Sequence, residues 1–490
     1  MSRLSPIYQT PLGLLTDLYQ LTMAAGYWKT GLAEREAVFH LFFRENPFGG
    51  GYAISCGLAA AIDYLKSWSF DEADLTYLAD QCGVDGKPLF NAPFLDYLGK
   101  QQFQCDVDAM VEGTVVLADE PMLRVRGPLM QCQLVETALL TMLNFETLIA
   151  TKAARITSVA GDDPVLEFGL RRAQGIDGGL SASRAAFVGG CAATSNVLAG
   201  RLFDIPVRGT HAHSWIMAFD DELEAMQAYA EAMPNNCIFL VDTYDSIEGV
   251  RKAVQVGRRL RKQGHEMVGI RLDSGNLSVL SIEARQILDE GGFPDARIVA
   301  SSDLDEHLIT ELKGQGARIG IWGVGTRLAT AYEQPALGGV YKLSAIRSAD
   351  GKWQDRAKLS EEPIKMTTPG ILQMRRFTKA GQAIGDCILD ERTGETSTIV
   401  PVDPSNGVRR TIPGEAASEN LLVPVFRQGK SVYDPPSAAD AQRRAKQQLA
   451  MFPEAVRRLA NPETYPVWLE ASVYQKKLDL VEATRQRIGT

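Results

Sequence analysis

The stretch RIVASSDLDEHLITELKGQGARIGIWGVGT, residues 297–326, decides the fold. A short β-branched run gives way to small and polar residues, a helical stretch follows, and a second apolar run ends in glycines. The same unit recurs outward in both directions: VLEFG (165–169), AFVGG (186–190), IPVRGT (205–210), IFLVDT (238–243), MVGIRLDSG (267–275), RIVASSD (297–303), RIGIWGVGT (318–326) and VYKLSAI (340–346). Spacings of about 20 to 30 residues are what a strand plus a helix needs. The runs are apolar throughout instead of alternating, as strands buried on both faces should be. The expectation is therefore an α/β fold: a TIM-like α/β barrel, regular or irregular, over residues 146–346.

The flanks read differently. Residues 1–145 mix helical stretches (LLTDLYQLTMAAGYW, GLAAAIDYLKSW) with strand-like ones (AVFHLFF, GTVVLA). Residues 347–490 carry strand-like ILQMRRF and STIVPV, then the amphipathic QRRAKQQLAMF and KLDLVEATRQR. The expectation is one discontinuous α+β domain built from both flanks.

Composition narrows the function classes. With 490 residues, 45% hydrophobic and 23% charged, the chain is an ordinary globular protein. A formal charge of −9 lacks the basic footprint of a nucleic-acid binder, so any anionic ligand needs local cations. No run of about 18 apolar residues calls for a membrane span. The N-terminus has no apolar signal core, so the expected location is cytoplasmic, without nucleic acid or membrane as partner. Seven scattered cysteines without CxxC favour buried thiols over a zinc site or a disulfide framework.

In a parallel barrel the loops after the strands gather at one mouth, where catalytic residues collect. Those loops carry Phe168, Arg171 and Arg172; Thr194 to Asn196; Thr210, His211 and His213; Asp242 and Asp245; Arg271, Asp273 and Ser274; Ser301 to Asp303; and Gly323, Gly325 and Thr326. WGVGT (322–326) would let backbone N–H groups approach a phosphate, although a GxG after a strand is often an ordinary turn. Arg271 and Asp273, at i and i+2, would point one way, one toward an anion and the other toward a metal or a ribose hydroxyl; a surface ion pair is the plainer alternative. The HxH of GTHAHSW would put His211 and His213 on one face, where zinc lacks a third ligand and a reactive imidazole oriented by Asp242 is preferred.

Taken together, TDLYQLTM (16–23), FHLFFRENPFGGGY (39–52), EFGLRRAQG (167–175), GTHAHSW (209–215), LVDTYD (240–245), RLDSGN (271–276), SSDLDE (301–306), GVGT (323–326) and LGGVYKL (337–343) resemble nicotinate phosphoribosyltransferase. The resemblance implies an enzyme that joins nicotinate to 5-phosphoribosyl 1-diphosphate (PRPP), coupled to ATP hydrolysis through a phosphohistidine, in the salvage of nicotinate for NAD. It implies Mg²⁺ as cofactor, ATP as co-substrate and a homodimer with shared active sites. Carried over, His213 is the phosphorylated residue and Asp242 its hydrogen-bond partner. Tyr19, from the second subunit, and Phe168 sandwich the pyridine ring; Thr210 and Arg271 contact nicotinate. Gly323, Gly325 and Thr326 hold the 5′-phosphate, Arg44 of the second subunit the diphosphate, and Arg171 and Asp273 PRPP and its Mg²⁺. Lys358 and Lys365 match a basic stretch near the phosphates, and Ser195 replaces the carboxylate of relatives that use nicotinamide. The competing readings are a sister enzyme acting on quinolinate or nicotinamide, and a non-catalytic binding protein on the same fold.

Overall fold

The computed structural model describes residues 11–358, 367–393 and 399–488. The chain divides into two compact units, Ile149–Pro335 and the combination of Met1–Leu148 with Ala336–Thr490.

The unit Ile149–Pro335 is built on a six-stranded parallel sheet in the order Ala193–Thr194, Val165–Glu167, Ile321–Val324, Arg297–Ser302, Gly269–Leu272, Ile238–Leu240. Helices follow the strands, including Gly175–Val188, Ser246–Lys262, Leu277–Glu290 and Glu306–Gly314. Both faces of the sheet are covered, so Phe239, Ile270, Val299 and Trp322 are buried. That double burial is why the strands read as unbroken apolar runs.

The expected closed barrel is corrected here, because the sheet is open. Residues 205–211 run beside Ala193–Thr194, where Thr194 and Val207 form a single bridge. On the other side they reach Ile238–Leu240 through side chains: the Thr210 hydroxyl donates to the Ile238 carbonyl at 2.6 Å, and the Leu240 N–H donates to His211 Nε2 at 3.3 Å. Side chains stand there where a ladder would close the sheet. Two further runs are reassigned. AFVGG forms the end of the buried helix Gly175–Val188, since an apolar run of that length fits a buried helix as well as a strand. VYKLSAI lies in Gly339–Arg347, an antiparallel strand of the other unit.

That other unit holds a seven-stranded antiparallel sheet, in which Glu36–Phe43 lies between Gly339–Arg347 and Leu123–Pro128. A five-stranded mixed sheet places Gln382–Asp390 beside Leu372–Lys379 and Val467–Glu470. Its centre is the fully buried pair Arg376–Asp386, joined also by Gln448, the Val115 carbonyl and the Tyr465 hydroxyl. No helix among the described residues is long and apolar enough to cross a membrane.

Candidate active site

The strand ends of the parallel sheet surround a cavity of about 500 Å³, lined by Phe168, Leu170, Arg171, Arg172, Ser195, residues 209–212, Arg271, Asp273, residues 301–303, Gly323, Gly325 and Thr326. The loops that the apolar runs led into thus converge on one cleft.

Its geometry comes from short side chains tying one strand end to the next. Phe168 closes one wall, and its ring occupies the space beside Gly323, where a Cβ would fall 2.7 Å from Cε2. Gly323 is therefore glycine because Phe168 needs that space. Beneath it Glu167 is buried and accepts from the Thr194 hydroxyl at 2.6 Å, the Ser183 hydroxyl at 2.9 Å and the Gly169 N–H. The Ser195 N–H donates to the Glu167 carbonyl at 2.9 Å, and Ser195 lines the cavity wall.

Arg271 is one of three arginines that line the cavity, with Arg171 and Arg172. Burial pushes its guanidinium pKa down, Asp273 and Asp242 oppose that shift, and its buried Nε has no hydrogen-bond partner. A desolvated guanidinium with an unused donor is a receptor for an anion. Asp273 stands beside it: Oδ1 accepts from the Ser301 hydroxyl at 2.6 Å, and Oδ2 lies 3.9 Å from His213 Nε2. The Thr326 hydroxyl makes no hydrogen bond among the described residues and faces the same cavity.

The histidine pair is not arranged as a strand would arrange it. His213 begins the helix His213–Met217, while His211 precedes it in irregular chain. His211 is buried, with Nε2 accepting from Leu240 and Nδ1 3.4 Å from the Ala212 carbonyl. Burial, aided by Arg271 and His213, lowers its pKa to about 4. His213 is more exposed, and its Nδ1 lies 3.1 Å from the Thr243 hydroxyl.

The expected bond from His213 to Asp242 is corrected. Asp242 Oδ2 instead accepts from the Asp273 N–H at 2.7 Å and the Ser274 hydroxyl at 2.8 Å, which fixes the loop after Gly269–Leu272. Thr243, one residue on, meets the imidazole. Asp245 faces its own helix, accepting from the N–H groups of Ile247 and Glu248. Thr210 lines the cavity, but its hydroxyl is already donated to Ile238.

Tyr19, 49% exposed on Leu18–Lys29, and Arg44, just after Glu36–Phe43, belong to the other unit, as does Lys358. Lys365 lies outside the described residues. Sequence reasoning missed Glu167 and Thr243; an acid ending an apolar strand was the only signal for the first.

Residues 14–144 match the nicotinate phosphoribosyltransferase N-terminal domain, and residues 373–477 match the C-terminal domain of the same family. The nicotinate phosphoribosyltransferase of Bacillus subtilis (strain 168) is 44% identical over 482 residues, covering 97% of this chain and 96% of its own. The chain belongs to the nicotinate phosphoribosyltransferase family. The family member of Dictyostelium discoideum is 37% identical, over 95% of this chain and 87% of its own. The solved human nicotinic acid phosphoribosyltransferase is 31% identical, with a TM-score of 0.83, covering 95% of this chain and 99% of that one. At 22% identity and a TM-score of 0.68, nicotinate-nucleotide pyrophosphorylase from Pyrococcus furiosus shares the fold.

Proposed function

We propose that this protein forms nicotinate mononucleotide and diphosphate from nicotinate and PRPP, with ATP hydrolysis coupled through a phosphohistidine at His213. The observation that carries the reading is the half-buried Arg271 guanidinium, its buried Nε unpartnered, in one cleft with the Phe168 ring. Arg271 pairs with the nicotinate carboxylate, and Phe168 stacks on the flat pyridine. The pyridine nitrogen has its lone pair free at neutral pH, so its attack on the ribose carbon needs no general base. The N–C bond forms as the C–O bond to diphosphate breaks. Catalysis then rests on holding the reactants in line and neutralising the departing charge.

Gly323, Gly325 and Thr326 take the 5′-phosphate, and Arg171 takes PRPP. Mg²⁺ fits Asp273, whose Oδ2 accepts no hydrogen bond among the described residues. When bound, the ion offsets the negative charge of the diphosphate. For ATP, His213 has Nδ1 3.1 Å from the Thr243 hydroxyl; in the tautomer that donates this Nδ1–H, Nε2 keeps its lone pair. Thr210 acts by placing the segment that carries the histidines. In a cytoplasmic homodimer the partner would contribute its own copies of Tyr19 and Arg44 to this cleft. Ser195 puts no carboxylate where an amide would need an acceptor, which favours nicotinate over nicotinamide.

Diphosphate release, measured with nicotinate or nicotinamide and with or without ATP, tests the reading. Turnover with nicotinate that rises with ATP is expected. A preference for nicotinamide, or indifference to ATP, would select the sister enzyme.

A further inference from the structure

A second cavity, about 520 Å³, lies wholly within the unit that holds the antiparallel sheet. One wall is the sheet face on which His40 sits directly opposite Lys342 on one neighbouring strand and Arg124 on the other. The facing wall is the helix Ala471–Ile488, through Lys477, Val481 and Arg485. Phe42, Ile388 and Leu469 make much of the remainder apolar.

The polar groups of this cavity do not balance one another. Arg124 is matched, by Asp108 at 2.8 Å and Glu391 at 2.7 Å. Lys342, Lys477 and Arg485 have no carboxylate within 4 Å among the described residues, and Asp119 is the only acid among the described lining residues. Burial pushes the ammonium pKa values of both Lys342 and Lys477 down; Glu136 opposes the shift at Lys342, where Arg44 and Lys358 add to it, and Asp119 opposes it at Lys477.

His40 supplies the second, independent sign. It is 2% exposed, and its Nε2 accepts from the Leu372 N–H at 3.2 Å. The ring proton therefore sits on Nδ1, and Nδ1 has no partner. Burial, with Arg124 nearby, lowers its pKa to about 3, so the ring stays a neutral donor. An unpaired buried donor is costly unless something accepts from it.

We propose that this cavity is a binding site for a small amphipathic organic anion, with an acidic headgroup received by Lys342, Lys477 and the His40 Nδ1–H and an apolar body along Ile388, Leu469 and Val481. Apolar walls with a few convergent polar groups are the usual construction of a small-ligand site. None of its lining residues is among those of the cleft of the parallel sheet.

Calorimetric titration of the full chain with decanoate tests it. One saturable site per chain is expected, with decanol binding at least about tenfold more weakly for want of the charge-assisted bonds. Lys477→Met should weaken decanoate by about tenfold, and Lys477→Arg, which keeps the charge, should bind like the wild type. Val481→Trp, filling the apolar end, should abolish binding. Circular dichroism confirms that each variant is folded. Saturating inorganic diphosphate should leave decanoate affinity unchanged. Absence of saturable binding, unaltered affinity in both Lys477→Met and Val481→Trp, or displacement by diphosphate would overturn the proposal.

Discussion

At the scale of single residues, the candidate site works by leaving a few strong groups unpaired while neighbours are tied down. Arg271 is the clearest, and Arg271→Lys replaces a planar two-pronged donor with a point charge. Catalytic efficiency for nicotinate should fall by about 1.5 to 3 kcal/mol, roughly ten- to a hundredfold, with little change in the thermal midpoint. Steady-state kinetics beside a melting curve measures both. The two histidines make a sharper contrast. His211 has both ring nitrogens engaged, whereas His213 Nε2 makes no hydrogen bond among the described residues and stands 3.9 Å from Asp273 Oδ2. Labelling with γ-labelled ATP should give an acid-labile phosphate that is kept in His211→Asn and lost in His213→Asn. The rim residues were legible because polar side chains directly followed apolar runs. The partner of Asp242 was not, since the Asp273 N–H it holds lies on another strand end, and no spacing along the chain reveals which backbone amide stands opposite a given carboxylate.

At the scale of elements, the helices that frame the cleft start where their caps dictate. Asp245 ends its loop by accepting two N–H groups of Ser246–Lys262, and Asn276 and Asp305 each accept one at the start of the next two helices. Asp245→Ala should lower stability by about 1 kcal/mol, the usual loss for a cap, read as a shifted urea midpoint with unchanged slope. Five of the eight runs became parallel strands because strands covered by helices on both faces need continuous apolar character. AFVGG has the same character for a different reason: Ala186, Phe187 and Val188 are buried at the end of a helix. Length and burial are shared by the two cases, and only the partner surface separates them. VYKLSAI misled for a similar cause, its strand being paired antiparallel with Glu36–Phe43, some three hundred residues away in the chain.

At the scale of the whole molecule, buried ion pairs tie neighbouring strands together, as Arg376 and Asp386 do across Leu372–Lys379 and Gln382–Asp390. Asp386→Ala would strand the Arg376 guanidinium in the core, and a loss of about 3 to 5 kcal/mol is expected in denaturant unfolding. Asp390 gives the acid response. Burial alone would raise its pKa, but the hydrogen bonds from Arg392 and Lys476 win and hold it at about 2, against an ordinary value of 3.8. Its contribution is therefore complete above about pH 4 and disappears as the pH falls through about 2. The stability difference between wild type and Asp390→Asn should be flat above that window and shrink within it, as urea titrations at stepped pH would record. A last consequence belongs to the open sheet. Where residues 205–211 meet Ile238–Leu240, the join is a hydroxyl and an imidazole in place of a run of amides, and the imidazole takes up a proton near pH 4. One added proton there removes the acceptor of the Leu240 N–H, so the seam at His211 can be loosened by acid, whereas the amide-to-carbonyl bonds of the six-stranded ladder beside it have no group that titrates.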